Sequence, residues 1–471
     1  MSTQQNAKPH TQLNLLDATM VVVGIMIGSG IFIVSSDIAK EVGSAGWLLV
    51  VWLVTGVVTL LGALSYGELG GMYPHAGGQY AYLREMFGPL TAFLYGWTFF
   101  TVIQTGSIAA VGVAFGKYLG VLYKPLDESN VLFSIGNSWS LKPTQLVAMA
   151  IIIFLTWVNT RGLSIGKLIQ NIFTFAKMGS LFGLIALGLF VGYNADVVAQ
   201  NWSSFWNAVS LKNGIANPVQ LTGWGIVIAV AVSQTGSLFS SDGWNNITFA
   251  ARETKDPQRT IPLAVAYGTF IVTALYLLAN VAYLVTLNMN SIATAEAGRV
   301  AASSASVIFP EFGVALMAAL IMVSTFGCNN GMILAGARCY HAMAHDNLFF
   351  KTAGDVNKHN APAHALWYQC GWACLLCLSG KYGDLLDYVM LAVLLFYIIT
   401  VAGIFKMRIQ RPDLPRPIKA IGFPVLPALY ILLCTFIVFV LLIEKSEYTI
   451  PGLVIVLLGI PVYYFRTKSN Q

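Results

Sequence analysis

Val21-Val22-Val23-Gly24-Ile25-Met26-Ile27-Gly28-Ser29-Gly30-Ile31-Phe32-Ile33-Val34 is an apolar run broken at its centre by Gly28-Ser29-Gly30. A later run is broken the same way, by Ser240-Ser241-Asp242-Gly243 after Leu238-Phe239. Both runs are long enough to cross a bilayer, and glycine and serine weaken a helix that in lipid must satisfy its own backbone hydrogen bonds. A break at that depth is tolerated where it faces protein or a water-filled cavity, so two of them in corresponding places point to a central small-molecule site. Helix packing is the plainer account, since Gly24 and Gly28 also form a GxxxG pattern that lets spans approach closely.

The composition agrees with a membrane solvent. Of 471 residues, 56% are hydrophobic and 10% charged, with mean hydropathy +0.70; soluble domains carry about 25% charged residues. Apolar segments centre near residues 25, 57, 103, 151, 182, 238, 275, 325, 372, 395, 434 and 458, each close to the length of roughly 20 residues that spans the hydrocarbon core. The chain is therefore expected to be an all-α integral membrane protein of about twelve spans, the fourth and ninth being the shortest. The polar stretch before the first span reads as a retained tail rather than a cleaved leader.

Charge sets the expected orientation. With the N-terminus inside, the cytoplasmic segments hold seventeen of the 26 Lys and Arg residues and the outer segments eight, which puts both termini in the cytoplasm. The net charge of +6 is then a topology signal rather than a nucleic-acid signal. The remaining basic residue, Lys177, lies in the fifth span, ten residues beyond Lys167 at the inner edge. At about 1.5 Å per residue that is roughly 15 Å deep, where a lysine needs a partner. Either the helix is shifted so that Lys177 snorkels, or its ammonium sits inside the bundle. In the second case it donates to carbonyls freed at the first break or to Ser324 or Thr325 of the eighth span.

Other chemistry is sparse. Cys328, Cys339, Cys370, Cys374, Cys377 and Cys434 all fall in or at the ends of spans, so no outer-loop disulfide is expected. Cys374 and Cys377 have a metal spacing but no second ligand pair, and His341 and His345, one helical turn apart, read as polar residues at a helix end. No nucleophile motif, paired catalytic carboxylates or cofactor motif stands out, which argues against an enzyme and against a cofactor. Between the second and third spans, Tyr73-Pro74-His75-Ala76-Gly77-Gly78-Gln79-Tyr80-Ala81-Tyr82 suits either a plain turn or a short surface or re-entrant helix. The run 252–259 reads as a cytoplasmic loop.

The breaks have opposite polarity. The helix resuming at Gly28-Ser29-Gly30 offers free N–H groups and the positive end of its dipole, which suits a carboxylate. The half-helix ending near Phe239 and Ser240 leaves carbonyls and the negative end, which suits an ammonium. Facing one another, they would hold a zwitterionic amino acid without a charged side chain.

At these residues the chain resembles the L-type amino acid transporter family, the light subunits of heteromeric amino acid transporters and their bacterial relatives, in the amino acid, polyamine and organocation superfamily. The likeness rests on Gly28-Ser29-Gly30-Ile31-Phe32, Gly62-Ala63-Leu64-Ser65-Tyr66-Gly67-Glu68-Leu69-Gly70, Gly77-Gly78-Gln79-Tyr80-Ala81-Tyr82, Asn171-Ile172-Phe173-Thr174-Phe175-Ala176-Lys177, Gly243-Trp244-Asn245, Ile261-Pro262-Leu263-Ala264, Arg416-Pro417-Ile418-Lys419 and Pro461-Val462-Tyr463-Tyr464-Phe465. It implies one transporter domain with two inverted repeats of five helices, over residues 1–195 and 196–410, and two further helices over 411–471, with spans one and six unwound. It implies a carboxylate site on the backbone of Gly28, Ser29 and Gly30, amino-group acceptors on the carbonyls of Met26, Phe239 and Asp242, and an aromatic gate at Phe239. Lys177 matches the lysine that stands as a fixed cation where related carriers hold sodium. The implied activity is sodium-independent exchange of neutral L-amino acids across the cell membrane.

Two departures bear on that transfer. The loop 117–142 lacks the cysteine with which eukaryotic light subunits bond a glycoprotein, so no covalent heavy subunit is expected. Asp242 stands where large-neutral-substrate carriers have glycine, and it would either attract a cationic side chain or cap the second half-helix. The rival readings are a proton-coupled symporter using Lys177, a cationic amino acid or amine carrier on the same fold, and a membrane sensor that does not transport.

Overall fold

A computed structural model describes residues 13–73, 77–136, 139–379 and 382–469. Its helices, in chain order, are α1 (Leu15–Met26), α2 (Gly30–Val42), α3 (Ala45–Met72), α4 (Gly78–Phe87), α5 (Pro89–Leu122), α6 (Pro143–Thr160), α7 (Leu163–Phe190), α8 (Trp224–Ser240), α9 (Trp244–Glu253), α10 (Pro257–Thr286), α11 (Gly313–His345), α12 (Ala363–Cys377), α13 (Tyr382–Gln410), α14 (Val425–Glu444) and α15 (Ser446–Ser469). Shorter helices at 195–203, 289–293 and 300–308 and two small hairpins fill the loops. All twelve expected centres fall within these helices.

Among the described residues, nine helices are long and apolar enough to cross a membrane, and two bent pairs bring the number to eleven. The remaining expected span is α12, whose 15 residues reach about 22 Å at 1.5 Å per residue, short of the roughly 30 Å core. It packs Leu366, Gln369, Cys370 and Cys377 into the bundle interior. The two spans expected to be shortest, α6 and α12, are so at 18 and 15 residues.

The first span is two helices bent by 44° between Met26 and Gly30, and the sixth is α8 and α9 bent by 40°. Each start and stop has a local cause. Asn14 caps α1 by accepting from the Asp17 amide at 2.9 Å, while the Asp17 carboxylate accepts from the Asn14 amide at 3.2 Å. Gly243 has φ +84°, a conformation that glycine adopts at little cost and that turns the chain from α8 into α9. The strand-like residue ahead of α1 is bound to the end of α9: the Leu13 amide donates to Glu253 at 2.7 Å and the Lys255 amide donates to Leu13 at 2.8 Å.

The ends of the bundle are chemically separate. One carries Arg84–Asp346 at 2.7 Å, Arg338–Glu253 at 2.8 Å and the Glu68 carboxylate with Arg408 and Arg416. The other carries Lys212–Glu41 at 2.8 Å, Lys117–Glu128 at 3.4 Å and Lys445–Asp387 at 3.1 Å. The basic residues at each end thus pair with acidic residues at the same end. Of the loop after span two, Pro74, His75 and Ala76 lie outside the described residues, and Gly78 opens the helix α4.

Candidate functional site

The two breaks meet. A methyl group built on Gly30 would lie 2.0 Å from the Ser240 hydroxyl oxygen and 2.9 Å from the Ser240 Cα, so only glycine permits this approach of the α2 start to the α8 end. On either side the helices stay close: the same construction puts Gly236 at 2.6 Å from Val34 Cγ1 and Gly243 at 2.6 Å from Ile25 Cγ2. Small residues at the breaks therefore let these helices approach closely.

A helix that stops inside a membrane leaves its last carbonyls without intrahelical partners, and those groups must be satisfied. At the end of α1 each successive carbonyl finds a side chain. Gly24 accepts from the Lys177 ammonium. Ile25 accepts from the Cys328 thiol at 3.2 Å, Met26 from the Tyr276 hydroxyl at 2.9 Å and Ile27 from the Ser324 hydroxyl at 3.3 Å. The donors come from α7, α10 and α11, so three neighbouring spans fix the negative end of this half-helix.

Tyr276 does more than cap α1. Its hydroxyl shares its proton between Met26 and the carbonyl of Ser240, each at 2.9 Å, and so ties the two breaks together. Just beyond, Tyr283 donates to the Ile31 carbonyl at 3.2 Å. Neither tyrosine is legible in the sequence as a site residue. The available signal was a hydroxyl at mid-span in the apolar run of α10, which has to find a partner.

Lys177 is fully buried, which excludes the snorkelling alternative. Its partner is a carbonyl of the first break, and the hydroxyls named as alternatives donate elsewhere: Ser324 to Ile27 at 3.3 Å, Thr325 to Ile321 in its own helix at 2.9 Å. Of the acceptors named for Lys177, the Gly24 carbonyl is in hydrogen-bond contact with it, while the Ser324 and Thr325 hydroxyls are themselves bound as donors to the carbonyls of Ile27 and Ile321.

At the second break Phe239 and Ser240 are buried, and the Phe239 carbonyl accepts from the Asp242 amide at 3.1 Å. Asp242 is half-buried, and its Oδ1 accepts a 2.6 Å hydrogen bond from Tyr397 of α13. Trp244, at the start of α9, packs edge-on against Tyr66 at 4.8 Å and tilted against Tyr397 at 5.2 Å, so the carboxylate stands beside a wall of aromatic rings. Of the other polar candidates, Cys374 and Cys377 are buried within α12, and His341 and His345 bring their Nε2 atoms to 3.2 Å of one another. Among the described residues no three His, Cys, Asp or Glu side chains converge as a metal site.

Comparison with known proteins accords with this geometry. The sequence matches the amino acid permease family over residues 13–464. It is 29% identical over 456 residues to b(0,+)-type amino acid transporter 1 of Mus musculus, covering 96% of this chain and 87% of that protein. It is 32% identical over 459 residues to large neutral amino acids transporter small subunit 2 of Homo sapiens, covering 96% and 80%. With Asc-type amino acid transporter 1 of Homo sapiens it shares 29% identity over 457 residues, covering 96% and 82%. Transmembrane helices broken at two facing points, a family match along nearly the whole length and no enzyme among these relatives lead to one assignment: the chain belongs to the amino acid permease family, as a multi-pass membrane amino acid transporter of its L-type amino acid transporter branch.

Proposed function

We propose that the protein exchanges neutral L-amino acids across the cell membrane, independently of sodium, through a site formed by its two helix breaks. The observation that supports this reading is the contact of Gly30 with Ser240, which brings a helix start and a helix end, of opposite dipole sign, side by side. In this reading the first amides of α2, at Gly28, Ser29 and Gly30, take the substrate carboxylate, with the Ser29 hydroxyl as a further donor. The carbonyls of Met26, Phe239 and Asp242 take its ammonium, and Phe239 closes over it. Lys177, donating to the Gly24 carbonyl, serves as the fixed cation at the place where related carriers hold a sodium ion.

The same reading includes an inverted repeat over 1–195 and 196–410, termini in the cytoplasm and no covalently bound heavy subunit. The last follows from the absence of cysteine in the loop 117–142. Counterflow into proteoliposomes preloaded with each proteinogenic amino acid tests exchange and ranks substrates together. An inward sodium gradient should not raise the rate, and Lys177→Met should lower turnover without creating sodium dependence. Uptake that requires sodium in the wild type refutes the fixed-cation role.

One observation favours a second reading of substrate range. The Asp242 carboxylate, beside Trp244 and Tyr397, suits a substrate with a cationic side chain, for which carboxylate and aromatic faces are both attractive. Counterflow of L-arginine against L-leucine separates the two, and Asp242→Asn should depress the first selectively.

A further inference from the structure

The helix α11 ends on His341-Ala342-Met343-Ala344-His345, which puts two imidazoles one turn apart on one helix face. A helix chelates a metal ion with this spacing, and the glutamate that would make such a pair hydrolytic is replaced by Ala342. Both rings border a cavity of about 550 Å³ at the end of the bundle that holds Arg84 and Arg338. His345 is exposed and His341 half-buried, so the pair can be reached from the surrounding water.

The geometry is close to that of a chelate. The two Nε2 atoms are 3.2 Å apart; with each about 2.0–2.1 Å from a shared ion, the angle at the ion is about 100°, near the tetrahedral value. The ring planes stand at 87° with centroids 4.5 Å apart, so the imidazoles do not stack face to face. His341 Nδ1 lies 3.3 Å from the carbonyl of Ala353, a residue that is fully buried. A carbonyl only accepts, so this contact puts the ring proton on Nδ1 and the lone pair on Nε2, the ligating tautomer. A carbonyl on the far nitrogen is also the usual outer support of a metal-bound histidine. Without an ion, the His341 lone pair accepts from the Nε2–H of His345. An ion takes the place of that proton, which passes through water to His345 Nδ1.

The surroundings accept a dication. Glu85, Glu253 and Asp346 face Arg84 and Arg338 around the cavity, so with neutral imidazoles its side chains carry one net negative charge. We propose that His341 and His345 form a chelating site for a divalent transition-metal ion such as Zn²⁺, bound through both Nε2 atoms with water completing its shell. Imidazole nitrogens select Zn²⁺, Cu²⁺ or Ni²⁺ over Mg²⁺ and Ca²⁺, which take oxygen ligands. The site is separate from the helix breaks and does not depend on what they bind.

The test uses the untagged full chain and ZnCl2. Calorimetric titration should give one Zn²⁺ per chain. His345→Ala, at an exposed position, should weaken it by about tenfold or more, since losing even an outer support of a ligating histidine costs that much, and His341→Ala should do the same. Cu²⁺ on the wild type should show electron paramagnetic resonance couplings from two imidazole nitrogens, reduced to one in either variant. Zn²⁺ should raise the melting temperature of the wild type but not of the double variant, while His359→Ala and His364→Ala should bind as the wild type does. A wild type that binds no Zn²⁺ overturns the site, as does undiminished affinity in a folded His341→Ala/His345→Ala protein.

Discussion

Replacing Tyr276 by phenylalanine removes one oxygen and keeps the ring, which is 1% exposed and packs edge-on against Trp52 at 5.4 Å. The loss falls on two carbonyls at once, Met26 and Ser240, each 2.9 Å from the hydroxyl. Leaving one buried acceptor unpaired costs about 1–3 kcal/mol; because a single proton is shared, the pair together should lose about 2 kcal/mol rather than twice the single value. The energy acts between α1 and α8, so it loosens the packed arrangement of the breaks by a factor of roughly 30, taking about 1.4 kcal/mol per tenfold. If that arrangement is the one that holds substrate, the dissociation constant of L-leucine should rise by the same order in a scintillation proximity assay, and the counterflow rate should fall. Tyr276→Trp cannot restore it, since its N–H would lie elsewhere. Binding within twofold of wild type, in protein of unchanged melting temperature, would show that the tyrosine bridge contributes nothing to the site and would refute the reasoning.

Two further outcomes follow from the packing. Gly30→Ala places a methyl group 2.0 Å from the Ser240 oxygen and 2.9 Å from its Cα, a backbone contact that no rotamer relieves; it should cost about 1–3 kcal/mol and abolish exchange, while Gly179→Ala, whose methyl meets nothing within 4 Å, should be silent in both melting and counterflow. Glu68 is fully buried and accepts from Arg408 at 2.6 and 3.1 Å, from Arg416 at 3.2 Å and from the Ala420 amide at 2.7 Å. Glu68→Gln leaves two arginines without their counter-charge and should destabilise by about 3–5 kcal/mol, seen as a lower melting temperature in fluorescence-detected size exclusion; an unchanged melting temperature would mean that the arginines are neutralised elsewhere.

The sequence by itself determined the class, the positions of the spans, both breaks and the depth of Lys177. Each of these depends on properties read along one dimension: hydrophobic length against bilayer thickness, the conformational freedom of glycine, and a rise of about 1.5 Å per residue. The same reading marked Asp242 as unusual, because a carboxylate inside an apolar run is visible wherever it points. What each such group touches was decided by the tertiary structure. Tyr276 lies 250 residues from Met26 and Cys328 303 from Ile25, whose carbonyls they satisfy, and Tyr397 lies 155 from Asp242. In spans that are apolar on every side, helical periodicity gives no sign of which face turns inward. The rotation of α7, α10, α11 and α13 about their own axes therefore leaves no trace in the sequence, and it is that rotation which brings Lys177 to Gly24 and lets one tyrosine hydroxyl hold two broken helices together.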